Sequence, residues 1–486
     1  MSDLPPAADP NAAVTDTAEG SRGRGHFLLD VVTSYLASAA KVGSWAVITG
    51  LLLRYAGEAQ LAVFALVRAT LGVLNYAGVG MAPALVRMLS TASPLAELRK
   101  ARVSATPAPR TNTLDYAGPG PRDEPPELAA RRLLVSNGVA LMLLITIALM
   151  PAILAYGHFF DRIHAVVGGN AVKQAEQCAT AFGVAIMLRL VSDVFGADLQ
   201  TRGLQWLDNL CLALAEAVWI AAAVAALPRG SAAQSLEKVA GFFLLASVVL
   251  LLMRAMMSML TFPAGASRRP APLRWVVQRN LLRTGSAITL GQLADFLYAP
   301  VAFILINELI SPLAAAAYTP AVQIDAALLL LVGGLSTVLL PRSALAHAAG
   351  DVSGVRRYYV RGTLFSLAVL AAAAVVIALA SKPILTLWLG QDMPLTRAIL
   401  PLVLIHTVIG GASGVGRAVL LGMGKVRPFT ISALAGGVGN VLLALLFVRV
   451  FGWGLHGIVA ATITVVTLRC AVWMPWYVLH SLRKPL

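Results

Sequence analysis

AVFALVRATLGVLNYAGVGMAPALVR, from Ala62 to Arg87, returns in altered form as AAYTPAVQIDAALLLLVGGLSTVLLPR, from Ala316 to Arg342. Each stretch runs from an aromatic residue (Phe64, Tyr318) through a glycine pair (Gly78/Gly80, Gly333/Gly334) to a closing arginine. Each exceeds the roughly 20 residues that a helical membrane span requires. Neither shows the period-two alternation of a barrel strand. LQTRGLQ from Leu199 and LLGMGKVRP from Leu420 echo one another in the same way, each closing an apolar helix with glycine and basic residues. The spacing predicts two tandem halves that enter the membrane the same way round, a parallel repeat.

Outward from these two helices, the chain keeps the same character. Hydrophobic residues make up 58% of it and charged residues only 13%, too few charges to cover a soluble protein of 486 residues. Apolar windows start near Leu28, Leu61, Leu133, Ala175, Leu207 and Ala240, then near Ile288, Leu313, Leu364, Ala398, Ile431 and Leu455. The expected fold is all-α, with about twelve transmembrane helices in two six-helix lobes related by a pseudo-two-fold axis. Residues 1–25 read as a disordered cytoplasmic tail, 26–265 as the first lobe, 266–284 as a basic interfacial linker and 285–486 as the second lobe. A flexible loop is expected at about 91–130, where Pro107, Pro109, Pro119, Pro121, Pro125 and Pro126 crowd together. PAPLRWVVQRNLLRTG, from Pro270 to Gly285, is expected to lie in the interface as a short amphipathic helix. No cleavable signal peptide is evident.

The net charge of +15 gains its meaning from its placement. With the first helix running outward, Arg87, Arg99, Arg131, Arg202, Arg274, Arg283, Arg342, Arg356, Arg427 and many others fall in inward loops. Outward loops hold few, such as Arg54, Arg162 and Lys382. This bias sets both termini in the cytoplasm. It accounts for the charge as orientation and attraction to anionic lipid, without nucleic acid. Cys178, Cys211 and Cys470 fall inside predicted helices without paired or metal-ligand spacing, and read as packing residues. Enzyme motifs are missing. Gly410, Gly411, Gly414 and Gly416 lie within a helix, and Gly422-Met423-Gly424-Lys425 lacks the spacing of a phosphate loop. The expectation is a non-enzyme without cofactor, metal or ATP site, driven by a gradient of Na+ or H+, by the membrane potential or by downstream consumption of its product.

LTLWLG (Leu385–Gly390), LLGMGKVRPFTISALAGGVGN (Leu420–Asn440) and FGWGLHGIVAAT (Phe451–Thr462) stand in order in the closing half. With YTPAVQ…LLPRSALAHAAGD (Tyr318–Asp351) and LNYAGVGMAPALVRML (Leu74–Leu89), the chain resembles the polysaccharide or O-antigen flippases of the multidrug/oligosaccharidyl-lipid/polysaccharide exporter superfamily. The resemblance covers most of the chain, from about Leu28 to Trp476. It implies a bacterial inner-membrane transporter of lipopolysaccharide or other polysaccharide biosynthesis. Such a protein carries undecaprenyl-diphosphate-linked oligosaccharide outward through a cationic cavity between two lobes. Its partners would be the lipid-linked oligosaccharide, membrane lipids and a polysaccharide polymerase machinery.

Charges at mid-bilayer are costly and therefore point to function. Ser34, Ser38, Lys41 and Thr49 form one stripe of the first helix, expected to face a wet cavity. Arg68 and Asn75 share a face of the second. Gln292 and Asp295 lie on the seventh helix, Gln323 and Asp325 on the eighth. Lys41 precedes Phe64 by the same interval as Asp295 precedes Tyr318, so the two occupy equivalent places in the two lobes. Lys41 and Arg68 are the candidates for the substrate's diphosphate, Asp295 and Asp325 for a coupling ion; alternatively Lys41 and Asp295 form a structural pair. Secondary candidates are Arg189 and Asp193, one turn apart and able to neutralise each other, together with Glu216 and His406. Arg254 and Arg469 are candidates to pair across helices with Glu216, while Arg417 snorkels. Pro83, Pro300 and Pro401 offer bend points for alternating access. The rival readings are a cation-coupled drug exporter and a peptidoglycan-precursor flippase of the same superfamily, then a membrane glycosyltransferase.

Overall fold

A computed structural model describes residues 10–78, 80–91, 126–164, 171–262 and 269–483. Among the described residues every regular element is helical. Helix α1 spans Pro10–Ala56. The tail read as disordered to residue 25 is therefore helical from residue 10 onward, because a long apolar helix is a nucleus from which Ala12, Ala13 and Ala18 propagate at little cost. After Gly57 (φ 84°) the chain reverses into α2, Glu58–Leu71. A 3-10 segment, Gly72–Tyr76, and a turn around Gly80 (φ 55°) separate α2 from α3, Met81–Thr91. Helix α4, Pro126–His158, opens on the last proline of the predicted loop; what precedes it from 92 lies outside the described residues.

Helices α5 (Ala171–Thr201), α6 (Gln205–Ala226) and α7 (Ser235–Leu260) complete the first half. The linker has no regular structure over 270–274 and is tied to α4. Ser136 Oγ accepts the Ala271 N–H (3.0 Å), and Asn137 Oδ1 accepts the Arg274 N–H (2.8 Å). From Trp275 it becomes α8, Trp275–Phe296, so no separate interfacial helix forms and the boundary drawn at 284 falls inside α8. Its outer face carries exposed Trp275 and Val276 while Val277 and Leu281 are buried, which keeps the predicted amphipathic character.

Helix α9, Ala299–Leu309, follows a break at Tyr298, where Pro300 lacks the N–H needed to continue the ladder. Beyond it lie α10 (Pro312–Ala348), α11 (Val352–Leu379), the short α12 (Ser381–Leu389), α13 (Pro394–Ala412) and α14 (Gly414–Gly422). Helices α15 (Val426–Arg449), α16 (Gly454–Val466) and α17 (Met474–Ser481) close the chain, the last two joined by a π-helical turn, Thr467–Trp473. Among the described residues, eleven helices are long and apolar enough to cross a membrane. The seventh predicted window falls on α8 and α9, where Arg279, Arg283 and the break at Tyr298 leave only Pro300–Leu309 as a short apolar helix. The repeat is thus unequal: the second and seventh passes are broken, whereas the first and eighth (α1, α10) run unbroken.

The apolar core shows where the halves meet. One large cluster joins Ile48, Leu52, Leu61, Phe64 and Leu71 of the first half to Ala302, Ile306, Ala314 and Ala321 of the second. These residues lie toward the end of the bundle away from the N terminus, since α1 reaches Ala56 there. At the N-terminal end the core divides in two. Met81, Leu85, Leu133 and Val191 form one cluster with the linker's Val277 and Leu281; Leu339, Val355, Val415 and Met474 form the other. The buried apolar core is therefore continuous between the halves at one end and divided into separate clusters at the other, where Tyr35 of α1 still lies against Gly334 of α10.

Candidate functional site

Trp45 of α1 lies among aromatic rings of α2, α5, α6 and α7. Its centroid is 5.0 Å from Trp219, 5.6 Å from Phe64, 5.8 Å from Phe243 and 6.1 Å from Phe182. Two guanidiniums use the faces of this cluster: Arg68 sits 4.1 Å from the Trp45 centroid and Arg189 4.2 Å from that of Phe243. A ring face stabilises a desolvated cation, so such contacts make arginine tolerable inside an apolar bundle.

Arg189 also has an ionic partner. Its Nη1 donates to Glu216 Oε1 (2.7 Å) and its Nε to Ser247 Oγ (2.9 Å), while Ser44 Oγ donates to Glu216 Oε2 (2.6 Å). Glu216 is fully buried, and these bonds tie α1, α5, α6 and α7 together. The expected pairing of Arg189 with Asp193 is not what forms. Asp193 instead takes Arg254 of α7 (2.6 Å), which also reaches Asp208 of α6 (2.7 Å). Glu216 likewise takes neither Arg254 nor Arg469. The physical reason is burial: a carboxylate on a facing helix removes a second charge from lipid, which a pairing along one exposed helix face does not. Closer to the N-terminal end, Asp198 accepts from Arg131 (2.9 Å), from Ser258 Oγ (2.7 Å) and from Arg202.

Lys41 and Arg68 differ from these four arginines. Among the described residues neither forms an ion pair. Lys41 is exposed, within electrostatic reach of Arg189, Glu216, Asp193 and Arg68. Ser34 and Ser38 are half-buried on the same helix. Thr49, by contrast, is fully buried with its hydroxyl unbonded, so the polar stripe ends below it. Asn75 is exposed in the 3-10 segment, and its amide donates to Gly72 O (3.0 Å).

In the second half, Gln323 is 2% exposed with Nε2 unbonded, which removes it from any water-facing wall. Asp325 accepts from Thr407 Oγ1 (2.6 Å) and stands 4.0 Å from His406 Nε2, bringing two predicted candidates together between α10 and α13. The side chains of Gln292 and Asp295 lie outside the described residues. The guanidiniums of Arg417 and Arg469 lie 5.4 and 5.1 Å from the centroid of one ring, Phe429.

Sequence reasoning missed the aromatic cluster around Trp45 and the aspartate sites at Asp198 and Asp208. A usable signal was present, since aspartate inside an apolar helix needs a buried partner. It also missed a bridge between the halves: His164 Nδ1 lies 2.9 Å from Glu308 Oε1 and its Nε2 3.0 Å from the Tyr156 hydroxyl. Nothing in the spacing of His164 and Glu308 signals that contact.

Comparison with known proteins agrees with this architecture. The MatE family profile matches residues 287–446. A curated relative, "Uncharacterized membrane protein EpsK" of Bacillus subtilis (strain 168), is 25% identical over 215 residues, 44% of this chain and 42% of that protein. The match thus spans less than half of that relative's length. An inward-facing multidrug resistance MATE family transporter of the MOP superfamily superposes with a TM-score of 0.63 at 16% identity, covering 94% of this chain and 95% of the other. Its outward-facing counterpart gives 0.60 at 16% identity, covering 95% and 97%. A Pyrococcus furiosus MOP superfamily transporter, described as having a binding pocket of reversed polarity, gives 0.58 at 15% identity, covering 94% and 96%. The chain is a multi-pass membrane protein with the two-lobed fold of MOP superfamily transporters.

Proposed function

We propose that this chain is a transporter that flips a polyprenyl-diphosphate-linked oligosaccharide between leaflets by alternating access. The observation that carries the reading is that Lys41 and Arg68 stand outside any ion pair among the described residues, while Arg131, Arg189, Arg202 and Arg254 of the same half are matched to carboxylates. A compact ammonium and a planar guanidinium suit a diphosphate that must be held and later released. The divided core supports an opening at the end that bears the N terminus. By the placement of its arginines that end faces the cytoplasm, where lipid-linked intermediates are assembled. Ser34 and Ser38 then line the way in, and Asp325 with His406 and Thr407 is the site for a coupling H+ or Na+. The reversed pocket polarity described for one structural relative supports a basic substrate site on this fold.

A second reading, export of cationic drugs, is favoured by the likeness to multidrug resistance transporters and by the aromatic cluster. The cluster argues against it in detail, because Arg68 and Arg189 already cover the rings that an organic cation would use. Depleting the protein and analysing the inner-leaflet lipids separates the two. We expect a diphosphate-linked intermediate to build up, and Lys41→Gln to reproduce the effect. No such build-up, together with altered drug tolerance, would decide for the exporter.

A further inference from the structure

The second half contains cations that nothing above uses. Arg417 comes from α14, Arg469 from the π-helical turn between α16 and α17, and both converge on Phe429, four residues into α15. Arg469 also lies 6.0 Å from the ring of Tyr298, at the break between α8 and α9. Segments from four passes therefore meet here, each contributing one side chain. Among the described residues neither arginine has a carboxylate partner. Arg469 Nε is sealed from solvent without a hydrogen bond, while Arg417 is exposed.

This contrasts with the first half, where Arg131, Arg189, Arg202 and Arg254 all meet aspartate or glutamate. An aromatic ring recovers only part of the hydration that a guanidinium loses, and two like charges beside one ring repel. Such an arrangement is stabilised by an anion that both can reach. The π-turn adds weight, since widened turns of this kind are retained at functional sites. Arginine is also the side chain whose planar fork matches phosphate oxygens.

The geometry points to a second anion site, inside the second half rather than between the halves, in which Arg417 and Arg469 hold a phosphate group of a membrane lipid. The inference rests on the proposed lipid-diphosphate substrate and deepens it: Arg417, the exposed member, meets the headgroup first, and Arg469 holds it deeper. The site lies beside the cluster of Val355, Val415 and Met474, on the side of the bundle where the apolar core is divided.

The test uses the full chain in nanodiscs of zwitterionic lipid, with a short-chain prenyl diphosphate as probe and native mass spectrometry as readout. K41Q/R68Q removes the first site, and residual binding should remain. Adding R417Q and R469Q should lower that residual affinity at least tenfold. R469K should restore less than half of the loss, because the flat stacking on Phe429 is gone. If R469Q does not fold, R417Q alone carries the test, since its side chain is exposed. A parallel arm replaces the probe with phosphatidylglycerol. Tighter binding there, lost in the same variants, supports the site and assigns it to a lipid headgroup. Absence of residual binding in K41Q/R68Q overturns this inference and leaves the proposed function standing. Binding unchanged by all four substitutions overturns both.

Discussion

Glu216→Gln is the substitution from which the structure predicts most. The carboxylate is fully buried and accepts from Ser44 Oγ at 2.6 Å and Arg189 Nη1 at 2.7 Å. Glutamine keeps the size and one acceptor oxygen but removes the charge, leaving Arg189 uncompensated within the bundle. A cation at the centre of a span costs about 3 kcal/mol on insertion scales, and breaking a buried pair costs about 3–5 kcal/mol. The Phe243 face, 4.2 Å from the guanidinium, holds Arg189 in both proteins and so cancels from the difference. The net expectation is a loss of ~3–5 kcal/mol. Removing both charges, in Arg189→Met with Glu216→Gln, should cost less than the sum of the singles by ~2 kcal/mol, because no unpaired charge is then left behind. The assay is reversible unfolding in mixed micelles, run as a double-mutant cycle. A single-variant loss below ~1 kcal/mol, or strict additivity, would show that Arg189 finds water or another anion and would refute the buried-pair reasoning.

Three further outcomes follow from particular contacts. Arg68→Lys keeps the charge but loses the flat stacking on Trp45, 4.1 Å away, so transport in reconstituted vesicles should fall several-fold, and Arg68→Gln should fall further; undiminished activity in Arg68→Lys would mean that stacking is unimportant. His164→Ala and Glu308→Ala each cut the bridge between the halves, and each should raise cysteine labelling along the seam at the end away from the N terminus; unchanged labelling would show that the apolar cluster alone closes it. Gly422→Ala places a methyl group 2.9 Å from the Leu340 carbonyl oxygen and 3.0 Å from Ala344 N, both rigid backbone of α10, and should destabilise by ~1–3 kcal/mol in thermal unfolding; a neutral result would mean that α14 can move away freely.

The all-helical class and the repeated halves were legible because they rest on local chemistry. Runs of apolar residues the length of a bilayer, with no water to satisfy backbone groups, leave helix as the available state. Ala62–Arg87 and Ala316–Arg342 carried the duplication in their own residues. Lys41, Arg68, Asp325 and His406 stood out for the same reason, as charged or titratable groups where lipid makes them expensive. Period alone, however, misplaced Thr49, since a stripe assumes an opening that runs the whole length of the helix, and Thr49 is fully buried.

What tertiary structure alone decided is partnership. Which carboxylate neutralises Arg189, why Asp193 turns to Arg254, and that His164 meets Glu308 depend on helices far apart in the chain. A sequence states how much each charge must be compensated, because desolvation is a property of the group and its surroundings. It does not state by whom, because the identity of the nearest counter-charge is a distance, and distances between helices exist only once they pack.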